Sequence, residues 1–443
     1  MNKTNRDILG LALPSIVTNI TTPLLGLVDV AITGHMGSAA YLAAIAVGST
    51  AFNLLYWLVS FIRMSASGMT AQAFGRNDRR AQSLILYREL VVSTLLGVTF
   101  IALSPLIVSP LMRFVDPSVQ SAALATTYFR IAIWGAPAVL ATYAFSGWFL
   151  GRQDSRIPMW VSIIVNVSNI AISLVLVFGF GWRIEGVATG TLAAQWIGAL
   201  TFLTLALRQR LPWPGWRPVT APREIASFFR TNVVLFLRTV CMIAVTVWFT
   251  RIGASQGNVV LAANALLLQL FMLFSYIMDG YAFAGEALVG RDIGRCDVTA
   301  LRMTVRWLLR WSVSLAAAFT VIYIIGGEWF LGILSDDREV TRASAEYAAW
   351  AFAIPLASFG AFAYDGIFIG TTSDKMMLLP MLYAAIAFFV VYALCYHALG
   401  NHGLWLAFIV YLLTRSISQA ILWPGMLRRI DISIRQINSY NPS

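Results

Sequence analysis

Residues 12–32 read ALPSIVTNITTPLLGLVDVAI and contain one charged residue, Asp29. A bilayer core is crossed by about 20 apolar residues wound as a helix, whereas a soluble helix of that length carries a polar face toward water. The same texture returns in Ser93–Pro110 and Ala384–Leu399, where no Lys, Arg, Asp or Glu occurs. Such stretches recur at intervals of about 35 residues along the 443 of the chain, room for about twelve helical spans. Composition agrees: 59% of residues are hydrophobic and 12% charged, roughly half the charged share of a soluble domain. The chain is read as an all-α polytopic membrane protein. Its spans are placed at 8–33, 40–63, 85–111, 128–150, 158–180, 187–207, 229–250, 260–284, 307–326, 346–369, 376–399 and 402–424.

Several function classes are disfavoured at this point. The net charge of +11 comes from arginines dispersed over short loops, so there is no basic face for a nucleic-acid backbone. Cys241, Cys296 and Cys395 are too few and scattered for a disulfide framework or a metal cluster. The apolar run after Lys3 and Arg6 continues without a small-residue cleavage site, and is read as the first span rather than a removable leader. No glycine-rich phosphate loop suggests an ATP-driven pump. His35, His397 and His402 lack ligand spacing, and no nucleophile–base or metal constellation is seen, so an enzyme is not expected.

Basic residues in short loops set orientation. With the N-terminus in the cytoplasm, the inner segments from Lys3 to Arg435 hold twenty Lys and Arg. The outer loops hold five: Arg113, Arg183, Arg251, Arg338 and Arg342. Both termini are therefore expected on the cytoplasmic side, in keeping with an even number of spans.

The basic, proline-containing stretch 208–226 splits the chain into two groups of six spans. The expected organisation is an N-lobe at 1–210, a cytoplasmic linker at 211–226 and a C-lobe at 227–443. The halves resemble each other. Leu42-Ala43-Ala44 matches Leu261-Ala262-Ala263, Pro137 matches Pro355, and Gly147-x-x-x-Gly151 matches Gly366-x-x-x-Gly370. Gly75-Arg76 is paired with Gly290-Arg291. Six spans of offset keep the halves in one orientation, a parallel repeat about an axis along the membrane normal. Two such lobes suit an alternating-access carrier.

Ionisable groups at membrane depth are costly and mark either function or pairing. Arg63, Arg130 and Glu286 are read as lying near span ends, where long side chains reach the interface. The C-terminal half has two acids, Asp279 and Asp365, and two arginines, Arg238 and Arg415, read as buried ion pairs. The N-terminal half has Asp29 with no basic residue at mid-span. An unpartnered carboxylate can take up and release a proton, and Pro23, six residues earlier, lets the helix bend near it. Asn166, Asn169 and Ser173 on the fifth span and Thr191 on the sixth form the candidate polar network around it, although asparagines also serve as interhelical glue. Asn53, Tyr56, Asn264 and Gln269 are candidate cavity-lining groups, since polar side chains within spans avoid lipid. Aromatic and Met side chains can hold flat apolar cations.

These residues resemble a known family. Leu13-Pro14, Pro23-Leu24-Leu25-Gly26-Leu27-Val28-Asp29 and Gly34-His35 are similar to the first span of the multidrug and toxic compound extrusion (MATE) transporters. Thr70-Ala71-Gln72-Ala73-Phe74-Gly75, Asp365-Gly366-Ile367-Phe368-Ile369-Gly370 and Gly400-Asn401-His402-Gly403-Leu404-Trp405 look like its DinF-type bacterial branch. The resemblance implies a twelve-helix, two-lobed antiporter of the bacterial inner membrane. It would expel small amphipathic, mainly cationic compounds against proton or sodium flow, as a monomer among membrane lipids and without a cofactor. It makes Asp29 the ion-linked carboxylate, with Asn169 and Thr191 as its matched neighbours. Ser173 stands where the family pattern has a second acid. A two-carboxylate sodium site is short of one charge here, which favours proton coupling through Asp29 alone. The alternative is a flippase for lipids or lipid-linked oligosaccharides, which would need arginines free to hold a pyrophosphate. A receptor or sensor is a third reading, disfavoured by the lack of a sizeable soluble domain.

Overall fold

The computed structural model describes residues 3–36, 38–115, 118–334, 337–373 and 375–440. Its membrane-length helices are α1 (Lys3–Gly34), α2 (Ala39–Gly75), α3 (Arg79–Val115), α4 (Val119–Gly151), α5 (Arg156–Gly179), α6 (Ile184–Arg208), α7 (Pro222–Ser255), α8 (Asn258–Gly294), α9 (Val298–Leu334), α10 (Arg338–Gly370), α11 (Lys375–Leu399) and α12 (Asn401–Tyr440). Eleven stretches are long and apolar enough to cross a bilayer among the described residues, and α1, 32 residues long, is the twelfth span. No β-strand occurs among the described residues. In hydrocarbon a backbone must satisfy its own hydrogen bonds, and a continuous helix does so.

The helices outrun the apolar windows that betray them. α2 and α8 each run 37 residues, past Arg63 and Glu286, where the sequence reading stopped. Arg63 stands in the first turn after a break at Val59–Ser60 that divides α2, whereas Glu286 lies inside α8 and is buried in its lobe. Small residues explain the extension. Ala66, Ser67, Gly68, Ala71 and Ala73 on α2, and Ala282, Ala284, Gly285 and Ala287 on α8, sustain a helix and admit a neighbour closely. Arg130, by contrast, is exposed near the 3₁₀ turn Ile133–Gly135 that interrupts α4 ahead of Pro137.

Contacts divide the chain into two compact units, one formed by Leu13–Arg230 and the other by Thr231–Ser443 together with Met1–Ala12. The sequence boundaries at 210 and 226 differ from this division in two places. The start of α1 belongs with the second unit, where Arg291 Nη1 donates to Asp7 Oδ2 at 3.2 Å. The 211–226 stretch belongs with the first unit because its carbonyls, free of a long helix, accept from α3. Ser83 Oγ reaches the Pro212 oxygen at 2.7 Å and Arg88 Nη2 the Pro218 oxygen at 3.1 Å.

Each unit closes around the same glycine contact. A Cβ added at Gly147 of α4 would run into the carbonyl of Arg63 on α2, and one at Gly151 into that of Ser67. At Gly366 and Gly370 of α10 it would meet the carbonyls of Ala282 and Glu286 on α8. Every partner is displaced by 219 residues. The turns after these helices repeat too. Asn77 and Cys296 both have φ of 57°, and Gln153 and Thr372 have φ of 69° and 54°. Asp78 Oδ1 and Asp297 Oδ1 each accept from the backbone N–H three residues on, both at 2.8 Å. The counterpart of Gly75-Arg76 is thus Gly294-Arg295, one helical turn beyond Gly290-Arg291, because the helix, turn and cap shift together.

Candidate functional site

The first unit buries Asp29 near the far end of α1. Its side chain is 5% exposed, and Oδ1 has no hydrogen-bond partner among the described residues. Pro14 and Pro23 remove two backbone donors from the same helix. Near that second proline, α5 grips α1: Asn166 Nδ2 donates to the Thr21 carbonyl at 2.9 Å, and the Thr21 and Ser162 hydroxyls are 3.2 Å apart. Asn166 therefore steadies the backbone two turns before the acid and does not bond it.

Asn169 and Ser173, one turn apart on α5, are fully buried. Asn169 Nδ2 donates to Thr191 Oγ1 at 2.9 Å, and Thr191 donates in turn to the Val187 carbonyl at 3.1 Å. Ser173 packs against Gly190 on α6, where a Cβ would collide with its hydroxyl. Asn169 Oδ1 and Ser173 Oγ lack hydrogen-bond partners among the described residues. Tyr128 on α4 stands between this group and Asp29 electrostatically. Its hydroxyl lies beside Thr191 and Ser49 and within electrostatic reach of Asp29. A tyrosine in an aromatic-rich span carries no period or spacing that marks it, so the sequence reading passed over it.

Among the proposed cavity residues, Tyr56 is buried with its hydroxyl unpartnered, and Phe52 stacks on its ring at 5.6 Å. Asn53 and Gln269 are exposed. Asn264 is not a free polar group. Its amide and that of Asn401 exchange two hydrogen bonds of 2.9 Å, and Trp405 Nε1 adds a third at 2.8 Å. It joins α8 to α12, since a buried amide is stable only when its donors and acceptor are met.

The second unit treats charge differently. Arg238 on α7 and Arg415 on α12 both bond Asp365 Oδ2 on α10, while Gln419 Nε2 donates to Oδ1 at 2.7 Å. The sequence reading gave each arginine an acid; instead both converge on one. Asp279 on α8 exerts its charge on both guanidiniums, so the four groups balance two positive charges with two negative ones. His402 sits in the first turn of α12 and receives the Trp350 indole N–H at 3.0 Å. No cluster of metal-ligating side chains forms among the described residues.

One feature of the first unit escaped the sequence reading. Glu89 on α3 is 1% exposed, and neither carboxylate oxygen has a hydrogen-bond partner among the described residues. It follows Arg88 at the edge of an apolar run, where a charge is readily taken for interfacial.

Two six-helix lobes on a 219-residue repeat, with isolated acids inside one and a compensated cluster inside the other, define a two-lobed membrane carrier. The MatE family model matches residues 14–175 and 231–397, one segment in each half. The chain belongs to the MATE family, in its DinF-type branch. The DNA damage-inducible protein F of Escherichia coli is 33% identical over 96% of this chain and 93% of its own. A probable multidrug resistance protein NorM of Bradyrhizobium diazoefficiens is 27% identical over 91% and 90%. A crystal structure of MATE in the bent conformation superposes with a TM-score of 0.88 at 17% identity, covering 98% of each chain. A model of the lipid II flippase MurJ matches residues 125–267.

Proposed function

We propose that this chain is a multidrug exporter of the bacterial inner membrane, driven by proton antiport, with both termini in the cytoplasm. Its substrates are small amphipathic compounds, mainly cations. The observation that carries the reading is Asp29: a carboxylate removed from water, forming no ion pair among the described residues, with the neutral Tyr128 hydroxyl within electrostatic reach. Such a group can exist in either protonation state, because neutral hydrogen-bonding neighbours can turn to serve both. A salt-bridged acid is held in one state. The relatives named for multidrug resistance support the substrate class.

In this scheme protonation of Asp29 alters the packing of α1 against α5, where the Thr21 carbonyl is held by Asn166 next to Pro23. Proton and cationic substrate compete for one carboxylate, and the lobes alternate between two openings. Ser173, in place of a second acid, leaves a sodium ion with one carboxylate instead of two, which favours the proton.

The MurJ match raises the flippase reading, in which a pyrophosphate headgroup would be bound by Arg238 and Arg415. Both guanidiniums are engaged on Asp365, which weighs against it. The test is reconstitution of the Asp29→Asn variant in liposomes with an imposed pH gradient and a fluorescent cation. Gradient-driven export is expected to fall by at least about tenfold. Export at the wild-type rate would refute proton coupling through this residue.

A further inference from the structure

The repeat supplies an internal control for polarity. Positions displaced by 219 residues occupy equivalent places in the two units, as the glycine contacts and the turns show. Three polar residues of the first unit have apolar counterparts in the second. Half-buried Ser65 on α2 corresponds to Ala284, buried Glu89 on α3 to Leu308, and half-buried Tyr143 on α4 to Phe362. The scaffold therefore packs without these polar groups, and their presence in one lobe calls for a reason other than packing. A buried carboxylate without hydrogen bonds costs several kcal/mol in a typical interior unless it carries a proton.

These groups also form a row of electrostatic influence in two parts, one from Asp29 to Arg63 and one at Glu89. The Tyr128 hydroxyl is within electrostatic reach of Asp29, the Tyr56 hydroxyl within reach of both Tyr128 and Tyr143, and Tyr143 within reach of Arg63. Ser65, two residues from Arg63, lies beside the Glu89 carboxylate. Topology sets the ends of the row apart. Asp29 is near the end of α1, which adjoins the start of α2, whereas Glu89 is near the start of α3, which adjoins the end of α2. Arg88 acts on Glu89 by charge but has partners of its own. Arg88, its chain neighbour, is drawn to Glu224 at 3.2 Å and to the Pro218 carbonyl. Arg63 on α2 acts on Tyr143 of α4.

We propose that Glu89 is a second proton-carrying group of the N-lobe, exchanging protons with Asp29. In each passage the Glu89 carboxyl gives up a proton and becomes a carboxylate. The Asp29 carboxylate takes up that proton and becomes neutral. The lobe then has a separate proton entry on the side of the Gly75–Asp78 turn, while Asp29 faces the substrate. This rests on the proton-antiport reading of Asp29.

Infrared difference spectroscopy of the full chain in lipid, across a pH jump, reads the carboxyl C=O stretch without any transport. Two carboxyl bands are expected in the wild type, one lost in Glu89→Gln and the other in Asp29→Asn. The companion variant Ser65→Ala/Glu89→Leu/Tyr143→Phe copies the C-lobe residues and is expected to fold. Its export at a saturating substrate concentration is expected to fall about tenfold, with a shifted pH profile. A wild-type band pattern in Glu89→Gln overturns the proposal, as does wild-type export and pH profile in the triple variant. The outcome of export by Asp29→Asn bears on the antiport reading alone, since the Glu89 band is observed independently of it.

Discussion

The two lobes are built on one register and handle buried charge in opposite ways. In the second, Asp365 is enclosed by Arg238, Arg415 and Gln419, with Asp279 acting on the same arginines. In the first, Asp29 and Glu89 are each buried and form no ion pair among the described residues, although the Arg88 charge acts on Glu89. A fold duplicated down to its glycine–carbonyl contacts thus has an ion-paired interior in one lobe and unpaired acids in the other among the described residues. The backbone repeat carries the mechanics, and the side chains inside it carry the asymmetry.

The sharpest way to break that comparison is to neutralise one acid in each lobe. Asp365→Asn leaves two buried guanidiniums short of a counter-charge and is expected to cost about 3–5 kcal/mol. Asp29→Asn removes an unpaired charge and is expected to change stability by less than about 1 kcal/mol, in either direction. Thermal unfolding in detergent compares the two directly; equal losses would mean that Asp29 is paired after all. Next in size is a shared insult. Gly147→Ala and Gly366→Ala push a methyl group into equivalent backbone carbonyls and are each expected to cost about 2 kcal/mol, offset only partly by the better helix propensity of Ala. Matched falls in melting temperature support the equivalence, and a fall in one lobe alone would break it. The smallest effect tests the turns. Cys296→Gly is expected to stabilise by about 0.5–1 kcal/mol, and Asn77→Gly by no more than a few tenths, because Asn tolerates the left-handed region better than Cys. A larger gain at Asn77, measured by the same unfolding assay, would contradict that account.

The spans, the repeat and Asp29 were legible because each leaves a local trace: an apolar run, a spacing, a single charge inside it. Helix ends were not. Arg63 and Glu286 look like the close of a span, yet small residues carry α2 and α8 onward past them. Pairings were the least legible. Arg238 and Asp365 lie 127 positions apart and Arg415 and Asp365 lie 50 apart, and nothing in the order of residues says that both arginines share one acid. Asn264 looked like a free polar group because its partners, Asn401 and Trp405, are more than 130 positions away. Glu89 was hidden by Arg88, whose presence made a buried acid look like part of a solvated edge.

The balanced cluster around Asp365 has an electrical consequence. A transmembrane voltage acts on net charge that moves, at about 2.3 kcal/mol per elementary charge per 100 mV. Four groups that sum to zero and stay bound together feel almost none of it, however far they are carried. An isolated carboxylate that alternates between charged and neutral feels it in one half of its cycle only. Under the proposed proton antiport, the voltage sensitivity that comes from the protein's own buried acids then lies in the first lobe, and the Asp365 cluster adds little to it.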